Sequence, residues 1–297
     1  MASPTSPTHG KLAAVYRTRP NGFKGHGLND LTWGTAFAGA ASAYYEVVIQ
    51  TPGTPDTFKW RKDGGAWTEN VNITGAAQTL DDGQTITFAA TTGHTAADQW
   101  IIGNLKDEAC TESGADAQIT DTTMRLINPN NQPIFTDSGG KNVLIVDYTQ
   151  GKATFDGNVT IVTVTGNNGF IVVAGLEKVG YLIGWEYQLA LDMADMSYAG
   201  QEWKNALPGQ AGGNGSAESF FIGGKTFFDA FVECASGNEA YFLLQLFNYD
   251  PDKDQTGDHL NAWVMFDNFN IAAPINEVVK EKIGFQLQGI PSFKANI

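Results

Sequence analysis

The sequence predicts an all-β protein with one short α-helix, built as an antiparallel β-barrel or sandwich that carries a small inserted β-sandwich module. Three observations carry this expectation. From Tyr181 to Met193 every odd position is apolar while Gly184, Glu186, Gln188 and Asp192 sit between them. A two-residue period sustained that far fits a one-sided strand and cannot place its apolar residues on one side of a helix. Thr, Val, Ile, Phe and Tyr are abundant, and 34 Gly with 11 Pro supply turns along the whole chain. Turn pairs such as Asp82-Gly83 and Asp156-Gly157 punctuate short apolar runs at near-regular spacing.

Element by element, Lys11–Arg17 reads as a first strand, followed by a Gly-rich arm whose Phe23, Leu31, Trp33 and Phe37 need a surface to pack on. Short strands follow at Tyr44–Gln50 and Thr57–Arg61, where Phe58 and Trp60 alternate with Lys59 and Arg61, and around Ile73, Ile86 and Trp100–Ile102. Turns at Asp63-Gly64-Gly65, Asp82-Gly83 and Gly93 separate them, the pattern of a small β-sandwich. Residues 105–140 read as polar and turn-rich. Val143–Phe155 and Asn158–Thr165 read as strands, with Asp156-Gly157 as their hairpin turn. After the long strand, Ser197–Leu207 reads as the helix, with Ser197 as N-cap and Pro208-Gly209 as stop. Residues 210–218 read as a Gly/Ser loop. Strands at Lys225–Cys234, Tyr241–Tyr249, Leu260–Ile271 and Val278–Leu287 close the chain. The resulting division is a 1–42 arm and strand packing on the main domain, a 43–104 inserted module and a 105–297 β-barrel domain. The alternative is that strands 44–102 are simply the first part of the main barrel.

A net charge of −14, from 32 acidic and 18 basic residues, disfavours recognition of phosphate backbones. The same charge suits simple solubility, or a channel along which a polyanion slides without sticking. Cys110 and Cys234 are too few and too far apart for a disulfide framework, which points to assembly in a reducing compartment. Met1–Gly10 shows no basic and apolar signal-peptide pattern, and no apolar run reaches membrane-spanning length.

No residue is assigned a catalytic, cofactor-binding or metal-ligating role. His9, His26, His94 and His259 are isolated, without metal-ligand spacing. Asp250, Asp252, Asp254 and Asp258 alternate like a calcium loop, but Gln255 and Asn261 stand where such a loop needs Gly and a bidentate Glu. A solvated hairpin tip explains them better. The Gly212-Gly213-Asn214-Gly215 stretch lacks the Lys and following helix of a phosphate cradle. The sequons at Asn72, Asn158 and Asn214 read as chance matches. Trp60, Trp67, Trp185 and Trp263 could line a sugar site, yet their alternation along strands makes core packing the simpler reading.

The segments GYLIGWEYQLALDMADMS (180–197), YAGQEWKNALPG (198–209), KTFFDAFVEC (225–234), AYFLLQLFNY (240–249), HLNAWVMFDNFNIAAP (259–274) and VVKEKIGFQLQGIPSF (278–293) together resemble the C-terminal half of the major tail tube proteins of long-tailed, siphovirus-like bacteriophages. The opening GKLAAVYRTRPNGFKG (10–25) is similar to them as well. DTFKWRKDGGAWTE (56–69) and QTITFAATTGHTAADQW (84–100) resemble a β-module of phage structural proteins. The resemblance implies a non-enzymatic virion protein with a barrel or sandwich of tail-tube type, assembled in the host cytoplasm. It implies self-association into hexameric rings stacked as a hollow tube, with tape measure and tail terminator or distal tail proteins as partners. DNA would pass through the lumen without specific binding, with no membrane involved. The inserted module would decorate the outer surface or contribute to ring stacking. Two other classes are carried beside it: a phage or bacterial β-sandwich adhesin that binds carbohydrate, and an unrecognised glycosidase.

Overall fold

The computed structural model describes residues 12–17, 19, 21–34, 37–129, 131–172, 176–182, 184–195, 206–220, 226–235, 242–247, 259–272, 280–288 and 292–294. They divide into two units. One is continuous, Arg17–Lys178, with Gly237–Tyr241 grouped with it; the other is split, joining Met1–Tyr16 to Val179–Ser236 and Phe242–Ile297. The regular secondary structure is nearly all strand, and every pairing whose register is defined is antiparallel.

The first strand, β1 (Leu12–Arg17), belongs to the sheet of the split unit. The continuous unit then contains β2 (Phe23–Lys24), β3 (Leu31–Trp33), β4 (Ala43–Thr51), β5 (Thr57–Lys62), β6 (Thr68–Asn72), β7 (Gln78–Thr79), β8 (Thr85–Phe88), β9 (Gln99–Ser113), β10 (Asp116–Ile119), β11 (Ile134–Asp137), β12 (Val143–Asp147), β13 (Lys152–Phe155) and β14 (Val162–Phe170). Ala43, Tyr45, Val47 and Ile49 point to one side of β4 and are all but fully buried, the alternation a half-buried strand requires. They pack with Phe58, Phe88, Trp100 and Ile102 into one core, over which a three-stranded sheet β3-β8-β7 lies. A second core collects Leu105, Cys110, Ala117, Ile119, Phe135, Phe155, Val162, Val164 and Phe170.

Both cores are stitched by β9. It pairs with β4 over residues 99–104, with β14 over 103–109 and with β10 over 110–113. The 104/105 position, where the sequence suggests a boundary, therefore lies inside a continuous strand. The 105–140 stretch is also more ordered than its polarity predicts, holding the rest of β9 together with β10 and β11. Asp107 takes φ +47, and the β9–β14 register slips beside it, which hides the two-residue rhythm.

The expected Asp156-Gly157 hairpin is replaced by a different one. Strand β13 pairs back with β12, and the turn is Tyr148–Gly151. Asp147 Oδ1 accepts from the amides of Thr149 (2.9 Å) and Gln150 (3.2 Å), and Gly151 supplies φ +60. An Asx-type turn thus wins over the Asp-Gly pair, and Asp156 instead holds the amide and side chain of Asn142.

The split unit contains β15 (Glu177–Leu182), β16 (Gly184–Asp195), β17 (Ala206–Phe220), α1 (Thr226–Ala235), β18 (Phe242–Phe247), β19 (His259–Ala272), β20 (Lys280–Leu287) and β21 (Ser292–Lys294). Its sheet runs β15-β1-β18-β19-β20-β17-β16, with β21 also on β19. The ends of this path, β15 and β16, are separated in the chain only by Ile183. The sheet therefore curls round its core, Val15, Leu182, Phe242, Val264, Phe266, Ile283 and Phe285 among others, with its end strands meeting end to end. The antiparallel all-β architecture expected from the sequence is present, and no ladder closes this sheet among the described residues.

Three sequence expectations change here. Lys225–Cys234 is not a strand: Thr226–Ala235 is an α-helix. Phe227 is buried in the core and Phe231, one turn on, packs against it, an i, i+4 pair that suits a helix. Residues 210–218 are not a loop but part of β17, which pairs with β16 and, from Asn214 on, also with β20. Glycine is required there because large neighbours cross it: a Cβ on Gly215 would lie 2.5 Å from the Phe285 ring and one on Gly213 2.5 Å from Leu287. The helix expected at Ser197–Leu207 lies outside the described residues up to Asn205, and its last two residues, Ala206 and Leu207, begin β17.

Candidate functional site: uncovered strand faces and edges

The strand read from the Tyr181–Met193 period is divided: Tyr181 and Leu182 end β15 and Gly184–Met193 lie in β16, at the two ends of the sheet path, and part of the apolar side of β16 is exposed among the described residues. In the β16–β17 hairpin the register sets Trp185 opposite Ala217, Tyr187 opposite Gly215, Leu189 opposite Gly213 and Leu191 opposite Ala211. Large residues thus face small ones on one side of the ribbon. That side is continuous with the core, since Ala217 and Phe285 belong to it and Trp185 packs on it. Further out the cover ends: Tyr187 is 38% and Leu189 57% exposed. Trp185 stacks on Tyr187 at 5.9 Å, extending a flat aromatic surface outward.

Among the described residues the hairpin has no third strand at its far end. Residues 214–220 of β17 pair with β20, whereas 206–213 pair only with β16. On its other side β16 is the last strand of the sheet among the described residues, so a row of backbone donors and acceptors has no described partner along a 12-residue strand. A second apolar stripe lies on α1, where Phe228 is 50% and Val232 45% exposed; Phe228 lies 5.7 Å from Phe269. The continuous unit has its own exposed residues, Ile134 on β11 and Leu144 and Ile145 on the edge strand β12.

The opposite side of the hairpin is polar and near neutral. Ser216 Oγ donates to Glu186 Oε1 at 2.8 Å, and Lys280 lies 3.6 Å from Glu218. With Lys282 exposed beside them, two acids and two bases line this side. The −14 of the chain is therefore not gathered there among the described residues.

Sequence-flagged residues fall elsewhere. His94 is the one histidine with a tight constellation. Its ring is fully buried, with Nδ1 2.8 Å from Asp56 Oδ2 and Nε2 2.8 Å from Asp30 Oδ1. Phe88 and Trp100 seal it at 5.2 and 6.3 Å between ring centroids. Burial alone would raise the Asp56 pKa, but the amides of Gly53 and His94 and the imidazole outweigh it and hold this carboxyl below its usual range. The cluster ties three loops together, with His94 and Asp56 closed off from solvent. Sequence reading missed it because its members are 26 and more residues apart.

His26 is exposed, His9 lies outside the described residues, and His259 starts β19. Asp250, Asp252, Asp254 and Asp258 also lie outside the described residues, and among those described no group of acids, His and Cys has metal-binding geometry. Trp67 is flanked by Lys59 (4.6 Å) and Arg61 (4.4 Å), Trp60 packs on its core, and Trp263 is buried with its Nε1 unbonded. Cys110 is buried, and burial, with Glu112 and Glu108 nearby, pushes its thiol up to about 12. Glu281 projects into the core of the split unit, 2% exposed, with Oε2 unbonded; desolvation raises its pKa. No described helix is long and apolar enough to cross a membrane.

No protein-family model matches the chain, and no curated protein does. Among solved structures it is similar to a chain in the virion of a native gene transfer agent particle, at 17% identity and TM-score 0.32, covering 42% of this chain and 92% of that one. A chain from the tail of the empty gene transfer agent particle, refined with C6 helical symmetry, gives 17% identity and TM-score 0.32, covering 41% and 87%. The SPP1 tail tube gives 10% identity and TM-score 0.31, covering 58% of this chain and 80% of that one. Likenesses of this size establish neither a common fold nor a common function.

Proposed function

We propose that this chain is a structural virion protein, the major tail tube subunit of a phage-type tail. Copies form hexameric rings that stack into a hollow tube and conduct the genome toward the host. The observation that carries this reading is the β16–β17 hairpin, where a core face runs past its cover onto an edge strand. Exposed apolar face and open edge on one long strand are a hazard in a free subunit. A second copy removes both at once, by burying Tyr187 and Leu189 and by continuing the sheet. The sequence resemblance to tail tube proteins supports the same reading, and with it tape measure, terminator and distal tail proteins as partners.

In this reading the polar side of the hairpin lines the lumen. Its paired acids and lysines offer DNA little net attraction or repulsion, so the chain's overall charge is a secondary aid to passage. The 43–104 strands decorate the outer surface or contribute to ring stacking. Negative-stain microscopy of the purified full-length protein tests the proposal: rings or tubes with a central hole are expected, and a monodisperse monomer at every concentration contradicts it.

A further inference from the structure

The continuous unit contains a cleft of about 470 Å³ between the Asn21–Gly34 segment, the loop at Asn131 and Asn167–Asn168 of β14. We propose that it binds a neutral, hydroxyl-rich oligosaccharide, independently of the tube reading. Its size falls in the range of small-molecule sites, and its lining is dominated by asparagine with a single large aromatic, Trp33.

Hydrogen-bond geometry shows which polar groups remain available. Asn29 Oδ1 accepts from Asn21 Nδ2 at 2.7 Å and from Trp100 Nε1 at 3.0 Å. Both partners are donors, so the orientation of this amide is fixed and its NH2 group is left for a ligand. Asn131 uses Nδ2 on the Asn168 carbonyl at 3.4 Å, leaving its oxygen as an acceptor. Thr32 adds an exposed hydroxyl. The Trp33 indole is oriented by its bond to the Asn21 carbonyl, 2.8 Å, and is only half-buried. Amide donors and acceptors around a fixed flat ring suit a sugar, whose hydroxyls bond at the rim while its C–H face lies on the indole.

Two further observations favour this class of ligand. The cleft is rigid: buried Asn104 accepts from the Asn168 amide at 2.7 Å and donates to Gln84 at 3.1 Å, and Asn168 is held at φ +48. Pre-organised polar groups lose less freedom on binding. The cleft also presents no usable charge. Among its described lining residues Asp30 is the only acid, already engaged by His94 (2.8 Å) and the Ala90 amide (2.6 Å), and there is no Lys or Arg. Phosphate or nucleic acid has nothing to pair with there.

The test is saturation-transfer NMR on the full-length protein, assembled or not, with maltose, cellobiose, lactose and N,N′-diacetylchitobiose as probes, each at about 10 mM to suit millimolar binding. At least one should receive saturation, strongest on the C–H protons of one sugar face. The Thr32→Val/Asn131→Ala double variant, which leaves the Trp33 and Asn104 anchors intact, should weaken binding by roughly tenfold through lost hydrogen bonds. Transfer to none of the four, transfer unchanged in the double variant, or binding only to a sulfated polysaccharide control would each overturn the proposal.

Discussion

Leu189→Asp separates the demands of the subunit from those of the assembly. In the subunit Leu189 is 57% exposed and lies over Gly213, so the change should shift the melting of a dilute sample by no more than about 1 kcal/mol in stability terms. In an assembly that covers the β16–β17 ribbon, the remaining exposed part of the side chain is buried. Full burial of a leucine contributes about 1.5–3 kcal/mol, so the uncovered half contributes about 1 kcal/mol or more. An aspartate at that place also brings an unpaired charge into a drying contact, costing several kcal/mol further. A combined loss of about 3 kcal/mol or more corresponds to at least a hundredfold rise in the concentration at which copies associate. Leu189→Ala, which only removes apolar area, should raise it by roughly fivefold. Sedimentation velocity over a concentration series reads both shifts, with thermal melts as the folding control. If Leu189→Asp associates at the wild-type concentration while remaining folded, the uncovered ribbon is not the contact surface.

Further expectations concern buried groups. Glu281 has a folded pKa raised above its ordinary 4.5 by desolvation, so its protonated form favours the fold: stability is fully present below about pH 4.5 and falls as pH rises through the folded value. Glu281→Gln should therefore melt higher than wild type at pH 7 and lose that advantage near pH 4; a lower melting point at pH 7 would contradict the buried-carboxyl reading. Asp56→Asn breaks the His94 cluster and should cost about 3 kcal/mol, seen as a fall of roughly 6–12 °C in the melting of the continuous unit. Because the Asp56 pKa is lowered from its ordinary 3.8, the wild-type advantage should itself be lost as pH falls below about 3.8 toward the folded value. Cys110, with its thiol pushed up to about 12, should resist iodoacetamide at pH 8 until denaturant is added; peptide mapping that finds it alkylated in folded protein would place it at an accessible surface.

The strands that were legible in the sequence are those whose alternation is carried by large side chains. Tyr45, Val47 and Ile49 mark β4, Phe58 marks β5, and Ile283 and Phe285 mark β20, each against exposed or charged neighbours. The Tyr181–Met193 rhythm gave the strand character, but not the change from β15 to β16 at Ile183 nor what lies on each side: alternation reports which residues share a face, and cover is a tertiary fact. Elements fixed by other residues' shapes were not legible. Gly213 and Gly215 look like a loop until Phe285 and Leu287 are seen crossing them. In α1, Phe227–Phe231 and Phe228–Val232 are i, i+4 pairs that were a readable helix signal, outweighed by the β-propensity of Phe and Val. The Asp156-Gly157 pair lost to Asp147, whose side chain bonds two amides ahead of it. The Asn29–Trp33 cleft was invisible because its asparagines are scattered across nearly 150 residues and read singly as turn formers.

Hydrogen–deuterium exchange across β16, compared between dilute subunit and the most concentrated sample, tests the central claim most directly. The alternate amides of Gly184–Asp195 that point away from β17 lie along the outer edge of the described sheet, so they should exchange quickly in the subunit and slow by at least tenfold once copies associate, while those of β4 stay unchanged. Association that leaves exchange in β16 unaltered would show that copies join elsewhere, and the uncovered ribbon would need another explanation.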